Sequence, residues 1–207
     1  DIESGSDIGF VINGVDAGDS SGVSVSDAGD VNGDGYDDVI IGATGASPNG
    51  DYSGSAYVVF GTSDIANIEL SDIESGTGGF VINGAEAYDN IGSTVSAAGD
   101  FNGDGYDDVI IGASGTSPNG EYSGSTYVVY GKTSTNAIEI SNLVQNGYGA
   151  LIHGADAGDS SGTSVSAAGD VNGDGYDDVI ISASGASPNG EYSGSAYVVF
   201  GTSDIAN

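Results

Sequence analysis

The feature that most constrains this chain is a stretch that occurs three times. DVNGDGYDDVIIG begins at Asp30, DFNGDGYDDVIIG at Asp100 and DVNGDGYDDVIIS at Asp170. The starts are 70 residues apart, and the similarity runs well beyond the stretch itself. GFVING at Gly9 and Gly79 corresponds to GALIHG at Gly149, and SPNGDYSGSAYVVFG at Ser47 returns with small changes at Ser117 and Ser187. A unit repeated at fixed spacing must fold as one supersecondary element and bury its apolar face against its neighbours.

Each unit reads as four short strands. GVSVS (Gly22 to Ser26) alternates apolar and polar positions. DVIIGA (Asp38 to Ala43) is a continuous β-branched run, which implies burial on both faces. SAYVVFG (Ser55 to Gly61) follows, and GFVING comes after a linker. Asn-Gly and Pro-Asn-Gly mark the turns, and no segment sustains a helical period. Four strands per unit, repeated, is the pattern of a β-propeller blade. The fold class is therefore all-β: a β-propeller of four-stranded antiparallel blades, three per chain, forming one half-ring domain over residues 1–207.

The repeat is cut out of phase. The chain starts with DIESG, which recurs at Asp72, and ends with GTSDIAN, which also occurs at Gly61 to Asn67. Only Ile68, Glu69, Leu70 and Ser71 separate the internal copies, a gap that four extended residues span in roughly 13–14 Å. The N-terminal GFVING then completes a blade begun by a C-terminal unit. Three blades are too few for a ring, since propellers have about four to eight, and a lone triplet leaves apolar faces bare. The expectation is a homodimer forming one six-bladed ring; a piece of a longer array is the alternative.

The repeated loop has the spacing D-x-N-x-D-G-x-x-D. Its oxygen-bearing residues are Asp30, Asn32, Asp34 and Asp38, then Asp100, Asn102, Asp104 and Asp108, then Asp170, Asn172, Asp174 and Asp178. A glycine sits at the sixth position. Ca²⁺ takes about six to eight hard oxygens, from carboxylates, amides and backbone carbonyls, and clustered carboxylates repel unless a cation lies among them. The backbone carbonyls of Tyr36, Tyr106 and Tyr176, at the seventh position, complete the predicted sets, and Asp38 can bind through both oxygens. An EF-hand would need a Glu at position 12 and flanking helices; here that position is Ile41, in an apolar strand. Asp and Asn also favour turns without any metal, but three intact copies favour one Ca²⁺ per repeat, three per chain, at loops 30–38, 100–108 and 170–178.

With these residues in view, the chain resembles the FG-GAP repeat of integrin α-subunit β-propellers and their bacterial relatives. The resemblance rests on the three loops, on VIIGA and YVVFG, and on G-x-S-V-S at Gly22, Gly92 and Gly162. It implies Ca²⁺ in a hairpin loop of each blade, an extracellular setting, and adhesion or partner binding. The family's usual seven blades in one chain are not matched by three.

Composition narrows the function. The chain has 31 Asp+Glu against one Lys, no Arg, no Cys and one His, for a formal net charge of −30. Nucleic acid and anionic membranes need basic surface, so neither is expected as a partner. No apolar run approaches membrane-spanning length. Cysteine chemistry and a multi-histidine site within one chain are ruled out. Identical loops give three equivalent sites and not one asymmetric pair of carboxylates, so the reading is a non-enzymatic, calcium-binding, extracellular module for adhesion, assembly or protein interaction. The alternative is a carbohydrate-binding propeller using the loop tyrosines Tyr52, Tyr122 and Tyr192.

Other residues take plainer expectations. Asp37, Asp107 and Asp177 face solvent or cap the hairpin. Asp16 and Asp19, Glu86 and Asp89, Asp156 and Asp159 are loop charges on the side opposite the Ca²⁺ loops, with a second cation site as the sharper reading. Tyr57, Tyr127 and Tyr197 are packing residues, His153 is an incidental replacement of Asn13 and Asn83, and Lys132 is solvated.

Overall fold

A computed structural model of the chain describes residues 9–63 and 66–203. The DIESG segment at the start and the last four residues, on which the near-seamless joining of the termini rests, lie outside the described residues. In chain order the strands are β1 (Ile12–Asn13), β2 (Ser24–Gly29), β3 (Asp38–Ala43), β4 (Ser55–Val59) and β5 (Ile68–Glu69), then a short helix α1 (Leu70–Glu74). There follow β6 (Gly79–Asn83), β7 (Thr94–Gly99), β8 (Asp108–Ala113), β9 (Ser125–Val129), β10 (Ile138–Glu139), a 3-10 turn at Ile140–Asn142, and β11 (Gly149–His153). The last three are β12 (Ser161–Gly169), β13 (Asp178–Ala183) and β14 (Ser195–Val199).

The strands assemble as propeller-type blades. The first is β2-β3-β4-β6 and the second β7-β8-β9-β11, with antiparallel pairing throughout. The third is β12-β13-β14. Each complete blade takes its fourth strand from the following repeat, so GFVIN of repeat two closes blade one. β1 and β5 form a separate two-stranded parallel ladder, and β10 lies parallel on β6 in the same way. β1 therefore occupies the place of a fourth strand whose blade is not in this chain.

The apolar runs explain the stacking. In β8 every residue is buried, because alternate side chains serve different neighbours. Ile111 and Val109 join Ile40, Val58 and Phe80 in the core between blades one and two, whereas Ile110 joins Val128, Val165, Val179 and Ile181 between blades two and three. Each fully buried Val or Ile contributes about 1.5–3 kcal/mol. Tyr57 and Tyr127 are buried as expected of packing residues; Tyr197, on the open side of blade three, is exposed.

The differences from the sequence reading lie at element edges. The inner strands run on to Gly29, Gly99 and Gly169, past the alternating segment, through a bulge where the chain enters the loop. The linker contains α1, whose Leu70 and Ile73 pack under Tyr57 and Val59; at five residues it is too short to impose a helical period. The Tyr57 hydroxyl donates to Glu74 Oε1 at 2.8 Å, pinning it. No helix among the described residues is long and apolar enough to cross a membrane.

The second strand of one blade meets the start of the next blade's inner strand, and glycine sets how close they come. A Cβ on Gly42 would stand 2.0 Å from the Gly92 carbonyl oxygen, and one on Gly112 2.1 Å from that of Gly162. Backbone faces backbone there, so neither side can yield. Gly42→Ala is expected to cost about 3 kcal/mol or more through overpacking; urea unfolding of the variant checks this.

Candidate functional site

The loop at 30–38 joins β2 to β3 and is organised by its own side-chain oxygens. Asp30 Oδ1 accepts from the Asp34 N–H at 3.0 Å and Oδ2 from the Gly35 N–H at 2.9 Å. Asn32 Oδ1 accepts from the same Asp34 N–H at 2.8 Å, while its Nδ2 donates to Asp34 Oδ2 at 3.0 Å. Asp34 Oδ1 accepts from Tyr36 N–H at 2.9 Å. The pattern repeats with Asp100, Asn102 and Asp104, and again with Asp170, Asn172 and Asp174. The side chains at positions one, three and five are thus drawn to one turn, with Tyr36, Tyr106 and Tyr176 in it.

Position nine closes the loop from below. Asp38 is buried; its Oδ2 accepts from Val31 N–H at 3.0 Å and its Oδ1 from Gly61 N–H, just past β4, at 2.7 Å. Asp108 does the same with Asn102 and Gly131, and Asp178 with Val171 and Gly201. These carboxylates hold the hairpin loop to the end of the third strand. Burial pushes the Asp38 carboxyl up to about 6 and that of Asp108 to about 8, against the lowering effect of their backbone N–H partners; the charges of Asp34 and Asp30, or Asp104 and Asp100, add to the rise.

Among the described residues no three carboxylate or imidazole groups close on a common point, because the loop oxygens are turned onto loop N–H groups. A carboxylate oxygen has more than one acceptor site, however, so these hydrogen bonds and a metal bond are compatible. All the side chains offered are hard oxygen donors, and the buried Asp38 and Asp108 each lie in the repulsive field of the other aspartates of their own loop. The residues therefore fit a hard divalent cation.

Two of the position-eight aspartates do something the sequence reading did not anticipate. Asp107 and Asp177 neither face solvent nor cap their own hairpin. Asp107 Oδ2 accepts from the backbone N–H of Asp30 at 2.7 Å, and Asp177 Oδ2 from that of Asp100 at 3.0 Å. Each reaches the first residue of the preceding blade's loop. Gly29 and Gly99, with φ of 71° and 65°, leave room for them: a Cβ on either would lie 2.2 Å from the incoming carboxylate oxygen. Tyr106 and Tyr176 likewise lay their rings over Gly33 and Gly103 of the preceding loop. Asp37, with no preceding blade in the chain, is exposed. Successive loops are thus bolted together. Asp107→Ala is expected to cost about 1.5–3 kcal/mol, the worth of a hydrogen bond to a charged group, readable as a lower denaturation midpoint.

On the other side, the paired acids serve their turns. Asp19, Asp89 and Asp159 accept through Oδ2 from the N–H of Asp16, Glu86 and Asp156 at 3.1, 2.9 and 3.0 Å. The neighbouring Tyr52 stacks on Tyr88 with centroids 6.1 Å apart, and Tyr122 and Tyr192 are exposed. His153 Nδ1 meets Ser125 Oγ at 3.1 Å, as Asn83 Oδ1 meets Ser55 Oγ in the preceding blade, so the histidine takes over an asparagine's contact. Lys132 is not solvated as expected. Its ammonium lies 4.2 Å from the Phe80 ring centroid and donates to the Asn136 carbonyl, and burial lowers its pKa to about 8.

Comparison with known proteins agrees with this architecture. The FG-GAP repeat matches at residues 22–59, 92–129 and 161–199, each running from the inner strand, or two residues before it, to the end of the third strand. Integrin alpha-4 of Xenopus laevis is 31% identical over 160 residues, covering 75% of this chain and 14% of that protein. Phosphatidylinositol-glycan-specific phospholipase D of Bos taurus is 31% identical over 179 residues (81% of this chain, 20% of that protein), and that of Rattus norvegicus 32% over 168 residues (80% and 19%). The chain spans one fifth or less of the length of these relatives. With one match in each blade, every one containing an acidic loop, the chain belongs to the FG-GAP repeat family.

Proposed function

We propose that the protein is a non-enzymatic, calcium-clasped propeller module that works outside the cell in adhesion, assembly or protein interaction. The observation that carries the reading is the threefold identity of the loops: the same oxygens around the same turn, closed by a buried aspartate. Asp30, Asn32, Asp34 and Asp38 with the Tyr36 carbonyl, and their counterparts in the other two loops, would hold one Ca²⁺ each. The ion would neutralise the clustered carboxylates and lock the hairpin, a structural role. Three ions would bring the formal charge from −30 to about −24, which still repels anionic surfaces. Loops of this kind suit the calcium concentrations found outside cells. The likeness to integrin alpha-4, with the adhesion or partner binding that the family resemblance implies, supports the interaction role. The phospholipase relatives carry an enzyme's name, but equivalent repeated sites do not supply the two unlike groups that acid–base catalysis needs.

Calorimetric titration of metal-stripped protein with CaCl₂ tests this. The expected result is three sites per chain, falling to two in Asp34→Ala. Absence of binding heat with an unchanged melting curve refutes the calcium role.

The exposed tyrosines opposite the loops favour a second reading, glycan binding by stacking. Saturable binding of a neutral polysaccharide, lost in Tyr52→Ala and Tyr122→Ala, would put that reading first.

A further inference from the structure

We propose that Asp107 and Asp177 are positioning residues for the preceding acidic loop, so that calcium held by one loop tightens the hold of its neighbour. The inference rests on the calcium reading above and deepens it: the loops act as a coupled series and not as independent sites.

The contact between loops is reciprocal. Asp107 Oδ2 accepts from the Asp30 N–H, and the Asp107 N–H donates to the Asp30 carbonyl at 3.2 Å. Asp177 and Asp100 make the same pair of bonds, the second at 3.3 Å. Both backbone polar groups of a position-one residue are thus held by one residue of the following loop. That position-one residue is the one whose two carboxylate oxygens organise the turn. Position eight, in turn, sits in the chain between the position-seven carbonyl and the position-nine carboxylate, two of the proposed donors of its own loop. Ordering positions seven and nine of one loop therefore fixes the aspartate at eight, and with it position one of the loop before.

A second route joins the same loops. Asp108 Oδ1 accepts from the Gly131 N–H at 2.8 Å. The next N–H, that of Lys132, donates to the Val31 carbonyl at 2.8 Å, and the Val31 N–H donates to Asp38 Oδ2 at 3.0 Å. The closing aspartates of the first two loops are connected through Gly131, Lys132 and Val31. Gly201 and Thr202 reach from Asp178 to the Phe101 carbonyl in the same way. The junctions leave no slack. A Cβ on Gly131 would stand 2.6 Å from the Asp107 carbonyl oxygen and 2.8 Å from that of Val31; one on Gly201 would stand 2.3 Å from the Asp177 carbonyl oxygen and 2.6 Å from that of Phe101.

The sign of the coupling follows from entropy. Fixing a loop backbone costs conformational freedom. Where one loop is already ordered, part of its neighbour is ordered too, so the neighbour loses less freedom on binding and binds more tightly. Linkage makes the effect mutual. The loop at 100–108 touches both of the others, whereas no hydrogen bond connects those at 30–38 and 170–178 directly.

Chelator-competition titration of the metal-stripped full chain with CaCl₂ tests the proposal. The parent should titrate with a Hill coefficient above one. Asp34→Ala, Asp104→Ala and Asp174→Ala each remove an exposed side chain at the tip of one loop, and each should bind one ion fewer. Asp34→Ala and Asp174→Ala keep an adjacent pair of loops and should stay cooperative. Asp104→Ala removes the shared neighbour: its two ions should bind with a Hill coefficient of one and about fivefold or more weaker than in the parent. Alanine at both 107 and 177 should bring the parent's coefficient toward one, and asparagine at both, which keeps an acceptor oxygen, should restore it. Three ions bound independently by the parent, or equal steepness in the three single-loop variants, overturns the coupling and leaves the calcium reading standing. A double alanine variant as cooperative as the parent takes the role away from Asp107 and Asp177. Absence of any calcium binding overturns the calcium reading and the coupling together.

Discussion

If the acidic loops hold calcium as proposed, chelating it is expected to lower the melting temperature of the protein by roughly 15–30 °C. The estimate follows from mass action. A ligand that binds only the folded state stabilises it by about 2.7 kcal/mol per site when its free concentration is a hundred times the dissociation constant. Three equivalent loops then contribute about 8 kcal/mol. In a domain of this size each kcal/mol moves the midpoint by about 2–4 °C. The effect has a structural source in the carboxylates themselves. Asp38 and Asp108 are buried beside the charges of their own loops, and without a cation that repulsion opposes the fold. Differential scanning calorimetry in EDTA and in calcium reads the shift directly, and magnesium in place of calcium should restore only part of it, because Mg²⁺ keeps its own waters and demands a stricter octahedron.

Replacing Asp108 by alanine is the second large effect. The variant removes the carboxylate that takes the Gly131 N–H at 2.8 Å and the Asn102 N–H at 3.3 Å, leaving both without that acceptor at a half-buried position. The expected cost is about 2–6 kcal/mol, from about 1–3 kcal/mol for each of the two stranded donors. It should appear in EDTA as well as in calcium, because the lost bonds are part of the hairpin itself. Asp104→Ala provides the contrast. Its side chain is exposed and bonds only within the loop, so its effect should be confined to calcium-loaded protein. Urea midpoints of the two variants under both conditions separate the roles; an Asp108→Ala protein as stable as the parent would remove Asp108 as the closing residue.

Much of this was legible in the sequence because it is local. The nine-residue spacing from Asp30 to Asp38, the glycine at position six and the β-branched run that follows all act over a few residues, and the repeat shows them three times. The loop oxygens do gather at one turn, and VIIGA is buried on both faces. What escaped is long-range. Asp107 meets Asp30 across 77 residues, and nothing within the loop marks position eight as a bolt between blades. The only available signal was its recurrence in every repeat beside a tyrosine. Lys132 departs from its expected solvation for the same reason, since the Phe80 ring that holds it belongs to another blade's strand. Helix α1 is set by Leu70 and Ile73 packing under Tyr57, a tertiary contact on a segment shorter than two turns. β1 is strand over only two residues, although its sequence matches β6, because among the described residues no antiparallel partner lies beside it as β4 lies beside β6.

The most direct test of the central claim, that each acidic loop is a calcium clasp, is native mass spectrometry of protein exchanged into dilute calcium acetate. The account predicts three specifically bound Ca²⁺ per chain, two in Asp34→Ala, and none after EDTA. A chain that carries no calcium beyond the nonspecific background, or that keeps three ions when Asp34 is removed, would contradict it.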